Sequence, residues 1–176
     1  VFEAGWPESP AEWTAPAGSA ELALWGEVRA LRGAVNSSLE AARSAKLIGS
    51  SLEARVEIHV ADAGLGGRLQ GLCGGAGRPG AGNGVDELAN VFLVSQVEVV
   101  GAEPEGEHAL AHDLEGLGRV VVGVRPARGC KCDRCWRISE DVGASGRHPL
   151  LCERCVRIVD AMGIVKQPGE EASALA

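Results

Sequence analysis

Lys131-Cys132-Asp133-Arg134-Cys135-Trp136 and Leu151-Cys152-Glu153-Arg154-Cys155-Val156 decide how this chain is read. Each holds a Cys-x-x-Cys pair with an acid and then an arginine between the sulfurs, and 16 residues separate the two pairs. A Cys-x-x-Cys turn presents two sulfurs on one side of a tight loop. Two such turns facing each other make a tetrahedral four-sulfur cage, which suits zinc at Zn–S distances near ~2.3 Å. Soft thiolates also suit iron, so a rubredoxin-like iron site has the same ligands. Four protein ligands leave no position open for water, so the expected metal, one Zn2+, is structural and no residue is assigned to catalysis. Metal binding then supplies roughly 10–16 kcal/mol of folding free energy to a segment with few large apolar residues.

Two other readings of the cysteines carry less weight. Paired disulfides would suit a secreted chain, but Val1-Phe2-Glu3-Ala4 opens with no basic stretch or apolar run of a secretory signal. A redox dithiol needs one Cys-x-x-Cys beside a βαβ pattern, not two matched pairs. Cys130 is an extra sulfur that competes as a ligand, although the symmetry of the pairs favours Cys132. Cys73 reads as a bystander thiol. His148 lies between the pairs and is expected on the surface. His108 and His112 lack the glutamate of a metalloprotease helix and are expected to be solvated.

Moving outward, charge is divided unevenly. Residues 1–124 hold 8 basic and 17 acidic side chains, whereas residues 125–166 hold 9 basic and 5 acidic ones. Four thiolates around zinc lower the second region to about +2. A basic end on an acidic body suits contact with phosphate. No apolar run approaches the ~18 residues of a membrane span, so no membrane partner is expected. The chain opens without an initiator methionine, which fits a fragment or an incomplete gene model.

Upstream, residues 1–18 carry Trp6, Trp13, Pro7, Pro10 and Pro16 and read as an extended lead-in. Leu24, Val28, Leu31, Val35, Leu39 and Ala42 recur at three- and four-residue steps and predict a helix over 19–48, with Ser19 as N-cap and Gly49 as its stop. Residues 52–60 alternate as a half-buried strand, with Leu52, Ala54, Val56, Ile58 and Val60 inward and His59 exposed. The segment 63–84 holds ten glycines and no phosphate-loop lysine, and reads as a flexible linker. Residues 91–100 and 119–124 predict strands, 103–116 an acidic loop, and 152–162 a short helix. The expected fold class is α+β: an N-terminal helix packed on a small, mostly antiparallel sheet, followed by a four-cysteine zinc-ribbon-like module. Its divisions are 1–62, the flexible insert 63–84, a small sheet 85–126, the zinc module 127–166 and a disordered tail 167–176.

These residues together resemble the zinc-binding C-terminal region of bacterial-type or organellar isoleucyl-tRNA synthetases. The resemblance rests on the two cysteine stretches, on Asp141-Val142-Gly143 between them, and on Phe2 with Trp6-Pro7. It also rests on Leu39-Glu40-Ala41-Ala42-Arg43, Lys46, Ile48-Gly49, Ser51-Leu52-Glu53-Ala54 and Phe92-Leu93-Val94-Ser95-Gln96-Val97. It spans nearly the whole chain. One departure is the glycine-rich insert, where that family has a helical stretch. Another is the absence of the His-Ile-Gly-His-type and Lys-Met-Ser-Lys-Ser-type signatures, the Rossmann core and the editing domain.

The resemblance implies a tRNA-holding part of an enzyme that joins isoleucine to its tRNA with ATP, inactive without its catalytic part. The implied partners are isoleucine tRNA and that missing part. The implied location is the cytoplasm, or a chloroplast or mitochondrion. Arg134, Arg137, Arg147, Arg154 and Arg157 would offer donors to phosphate or base edges. Trp136 would stack on a base, although packing beside the cage is the expected role for it. The alternatives are the C-terminal zinc finger of a formamidopyrimidine-type DNA glycosylase and a structural, protein-binding zinc ribbon.

Overall fold

A computed structural model describes residues 8–10, 18–73 and 86–163 of the 176. Trp6, Trp13 and the tail from 167 lie outside the described residues.

Helix α1 spans Ala20–Ser44, and the Ser19 hydroxyl accepts the Leu22 N–H at its start. Its predicted stripe is the buried face: Val28, Leu31, Val35, Leu39 and Ala42, joined by Ala34 and Ser38. The helix stops before Gly49. Lys46 takes the left-handed conformation (φ 61°). Its N–H bonds the Arg43 carbonyl and the Leu47 N–H bonds the Ala42 carbonyl, a Schellman closure that needs no glycine here. Leu47 then folds back onto the core.

A 3-10 turn at Ser51–Glu53 takes Leu52 out of the predicted strand, which begins as β1, Ala54–Val60. Its inward set is Ala54, Val56, Ile58 and Val60, as the alternation required. His59 is half-buried rather than exposed, and its Nδ1 has no hydrogen-bond partner among the described residues.

The first half of the glycine-rich segment is not a linker. Helix α2, Ala63–Leu72, starts where the Asp62 carboxylate accepts the Leu65 N–H. Leu65 and Leu69, one turn apart, are buried in the core, and that packing offsets the helix cost of the glycines. Cys73, just beyond, is also buried in the core. Residues 74–85 lie outside the described set.

The start of the predicted 91–100 strand is instead the end of helix α3, Glu87–Phe92, capped by Asp86. Leu88, Ala89 and Phe92 are its buried residues, a helical spacing. Leu93, left-handed at φ 57°, ends it, and strand β2 is only Gln96–Val99. The acidic 103–116 segment holds strand β3, Ala109–Leu114, which pairs antiparallel with β4, Gly118–Pro126. The sheet order is β2-β1-β4-β3. Among the described residues only β1 and β2 run parallel, linked by a crossover through α2 and α3; the other pairs are antiparallel, so the mostly antiparallel α+β expectation holds.

Helix α1 packs across β3 and β4. There His112 Nε2 and the buried Ser38 hydroxyl are 2.9 Å apart, so His112 is tied into the helix–sheet contact rather than solvated. His108 is half-buried as well, and its carbonyl accepts the Val124 N–H. On the sheet's other face the chain near Pro104 lies flat on Gly123, where a Cβ would come within 2.7 Å of Pro104. Arg125 and Arg119 tie this strap through the Glu105 carbonyl and the Glu103 carboxylate.

Candidate metal centre and adjoining cleft

Strands β5, Cys130–Lys131, and β6, Ile138–Ser139, form a two-residue antiparallel ladder. The first Cys-x-x-Cys turn closes it. Cys132 N–H bonds the Arg137 carbonyl and Trp136 N–H bonds the Cys132 carbonyl, both at 2.8 Å. Gly129 makes the approach: at φ 105° its missing Cβ would lie 2.2 Å from the Ser139 carbonyl oxygen. The second pair opens helix α4, Glu153–Ala161, with Cys152 at the N-cap position and Cys155 in the first turn. Cys152 makes no side-chain cap. Asp141 does so instead, accepting the Glu153 N–H at 2.9 Å and the Ser139 hydroxyl. That is a physical role for the Asp-Val-Gly stretch.

The ligand atoms of Cys132, Cys135, Cys152 and Cys155 all lie within 4.8 Å of one another. Cys135 Sγ and Cys152 Sγ are 3.8 Å apart, which matches the ~3.8 Å edge of a tetrahedron with Zn–S near ~2.3 Å. Cys132, Cys152 and Cys155 are buried and Cys135 is half-buried. Cys130 is exposed on β5 and outside the group.

Donors converge on the sulfurs: the Cys152 N–H reaches Cys132 Sγ at 3.3 Å and Arg134 Nη1 reaches Cys155 Sγ at 3.7 Å. Burial raises the Cys132 thiol, but the amides of Cys135, Cys152 and Arg134 outweigh it and hold the thiol down at about 7, from 9.0. Burial pushes the Cys152 and Cys135 thiols up, and neighbouring sulfurs add to that. An arrangement of four soft donors with inward amides fits a closed zinc site.

His148 is not on the surface. It is 8% exposed, with Nε2 3.5 Å from Asp160 Oδ1, an oxygen that also pairs with Arg147 at 3.0 Å. Trp136 reverses the other way. It is 63% exposed, left-handed at φ 65°, with the Lys131 ammonium 5.1 Å from the centre of its ring system. It does not pack beside the cage.

The module and the sheet have separate apolar cores. Polar contacts connect them. Ser95 Oγ accepts the Ile138 N–H, Gln96 bonds both the Arg128 N–H and its carbonyl, and Arg137 donates to Asn90 Oδ1 at 2.7 Å. A cleft of about 400 Å3 opens over this seam, lined on the module side by Arg137, Arg154 and Arg157 and on the sheet side by Ser95, Gln96 and Val97.

The predicted arginines therefore separate. Arg134 is turned to the cage, Arg137 to Asn90 and Arg147 to Asp160. Arg154 and Arg157 have no hydrogen-bond or ion-pair partner among the described residues. Sequence reading passed over Arg128, whose side chain is equally unpaired and whose signal was its place beside Gly129 at the module's edge. On the body, Arg43, Arg55, Arg68, Arg119 and Arg125 are all paired with carboxylates.

The chain thus carries a four-cysteine zinc finger docked on an α+β body. Residues 129–158 match the zinc finger found in FPG and IleRS. Over 161 residues the chain is 48% identical to the isoleucine–tRNA ligase of Nostoc punctiforme, covering 89% of this chain. It is 46% identical to that of Thermosynechococcus vestitus over 88% of its length. It is also 40% identical to the chloroplastic/mitochondrial isoleucine–tRNA ligase of Arabidopsis thaliana over 99% of its length. Over most of its length the chain is therefore similar to part of isoleucine–tRNA ligases, and it spans about 15% of the length of these curated relatives. Among the described residues no helix is long and apolar enough to cross a membrane.

Proposed function

We propose that this chain is the tRNA-holding part of an isoleucine–tRNA ligase, contacting the anticodon side while the rest of that enzyme attaches isoleucine with ATP. Cys132, Cys135, Cys152 and Cys155 hold one structural zinc, which fixes the hairpin turn and the start of α4 relative to each other. The carrying observation is the cluster of uncompensated guanidinium groups around the zinc module: among the described residues Arg128, Arg154 and Arg157 have no side-chain partner there, whereas on the body Arg43, Arg55, Arg68, Arg119 and Arg125 face carboxylates and only Arg29 and Arg32 do not. Unpaired guanidinium groups on a rigid surface suit phosphate contact. The exposed Trp136, held in a conformation that costs about 1 kcal/mol, offers a face to an unstacked base. Arg134, Arg137 and Arg147 already have partners and contribute positive field more than direct contact. The setting is wherever the parent enzyme works: the cytoplasm, or an organelle as for the Arabidopsis relative.

The test is a competition titration of the zinc-loaded chain at fixed salt, with isoleucine tRNA, an unrelated tRNA and lesion-containing duplex DNA. Preference for isoleucine tRNA is the expected result. Preference for the duplex would replace this reading with that of a glycosylase finger. Zinc binding with no nucleic-acid affinity would leave a structural ribbon.

A further inference from the structure

We propose that the cleft over the seam seats one unstacked nucleotide of an RNA strand, its phosphate on Arg154 and Arg157 and its base edge toward the sheet. The proposal rests on the tRNA-holding reading and names where the strand would lie. Three observations lead to it.

The first is size and construction. At about 400 Å3 the cleft is in the range of small-ligand sites. Its two walls come from two separately packed units, so it exists only while the module is docked.

The second is its mixed charge. Arg154 and Arg157 are unpaired, and Arg137 is bonded to the neutral Asn90, so its charge is not offset by that contact. The same cleft holds Glu140 and Glu153, whose carboxylates have no partner among the described residues. Carboxylates repel a bare phosphate but accept from the amino and imino groups of bases. A surface meant only for a polyanion would lack them. Asp86 and Asp141, which also line it, are already committed to capping α3 and α4.

The third is the open sheet edge. Strand β2 is the outermost strand beside the cleft, so peptide groups along its outer side are not used in the sheet. A second cleft of about 460 Å3 shares Gln96, Val97 and Glu140 with the first and adds Arg128 and Arg55. Arg55 is neutralised by Glu57 and Glu98, whereas Arg128 is free to take the next phosphate.

The experiment follows backbone amides of the full, zinc-loaded, isotope-labelled chain as it is titrated with the RNA trinucleotides UUU, AAA and CCC, and separately with inorganic phosphate. Expected are saturable shifts at Ile138, Glu140, Glu153 and Arg154 with the trinucleotides, and weaker binding of phosphate. Arg154→Ala with Arg157→Ala should weaken trinucleotide binding about tenfold and lower the salt slope by about 1 per arginine. Zinc content and the sheet's spectrum should not change. Arg157→Gln, on the exposed side of α4, keeps the test readable if the double variant does not fold. Shifts that gather on Lys131 and Trp136 and spare the cleft would overturn the proposal, as would unchanged affinity in the variants. If the variants keep full affinity for isoleucine tRNA, the cleft assignment fails and the tRNA-holding reading stands. If trinucleotides fill the cleft but tRNA is not preferred, the reverse holds.

Discussion

Ser95 Oγ accepts the backbone N–H of Ile138 at 2.8 Å while donating its own proton to the Leu52 carbonyl. One hydroxyl thus joins the lead-in to β1, the start of β2 and the zinc hairpin. Ser95→Ala removes both bonds and leaves a half-buried amide without its partner. The expected cost is about 1–3 kcal/mol in thermal or denaturant unfolding. Hydrogen exchange at Ile138 should accelerate, while zinc stoichiometry stays at one per chain. Unaltered exchange at Ile138 would show that the seam is held elsewhere.

Because the two apolar cores are disjoint, stripping the metal should have a local effect. With a strong chelator, or in Cys155→Ser, amide resonances from 129 to 162 should collapse toward random-coil positions. Those of β1, β4 and α1 should hold. Concerted loss of both sets would mean that the seam couples them more tightly than its few polar bonds imply.

Zinc uptake should depend steeply on pH. Thiols must lose protons to bind, and at pH 7 Cys132 is near its midpoint while Cys135 and Cys152 are held protonated by burial. Loading therefore releases protons, and affinity rises with pH through 7 and above. In the metal-free chain Cys132 acts with its own sign. Its folded value is depressed from 9.0 to about 7, so its contribution to stability is complete above 9 and is lost as pH falls through 7. Raised Cys135 and Cys152 oppose it at high pH. Calorimetry in buffers of different ionisation enthalpy counts the protons; none released at pH 7 would contradict this account.

Lys46 closes α1 in a conformation that favours glycine. Its side chain is exposed and makes no hydrogen bond or ion pair among the described residues. Lys46→Gly should therefore stabilise the chain by roughly 0.5–1 kcal/mol, read as a raised denaturation midpoint at unchanged slope. A lowered midpoint would mean that unfolded-state entropy outweighs the relieved strain.

The metal cage was readable because its information is local: two spacings place four sulfurs, and the chain between them need only return. Helix α1 and strand β1 were readable because each has a long apolar period against a polar face. The failures lie where composition masked a short pattern. Ten glycines hid Leu65 and Leu69, whose one-turn spacing after the Asp62 cap makes α2. The run Val91-Phe92-Leu93-Val94 reads as strand by residue type, yet Phe92 is buried with Leu88 on a helix. A short apolar run does not distinguish the two. Acidic neighbours concealed β3, whose half-buried Leu110, His112 and Leu114 alternate. The exposures of Trp136 and His148 depend on how the hairpin turn and the following loop are set, and no local pattern carries that. The cleft joins residues some 60 positions apart, such as Gln96 and Arg157, and belongs to the docking alone.

The pairing of the body's arginines has a consequence for how a partner arrives. Residues 1–124 carry many more acids than bases, and Arg43, Arg55, Arg68 and Arg119 there face carboxylates; Arg29, Arg32 and Lys46 do not, but the excess of acid sets the sign of that end, while the module end is basic. The molecule is therefore an electric dipole with a repelling end and a receiving end. If the proposed nucleic-acid partner binds, one drifting toward the acidic side would be turned before contact, so fewer encounters would be wasted on unproductive orientations. That advantage is one of arrival rate, and salt shortens its reach to about 8 Å at physiological strength.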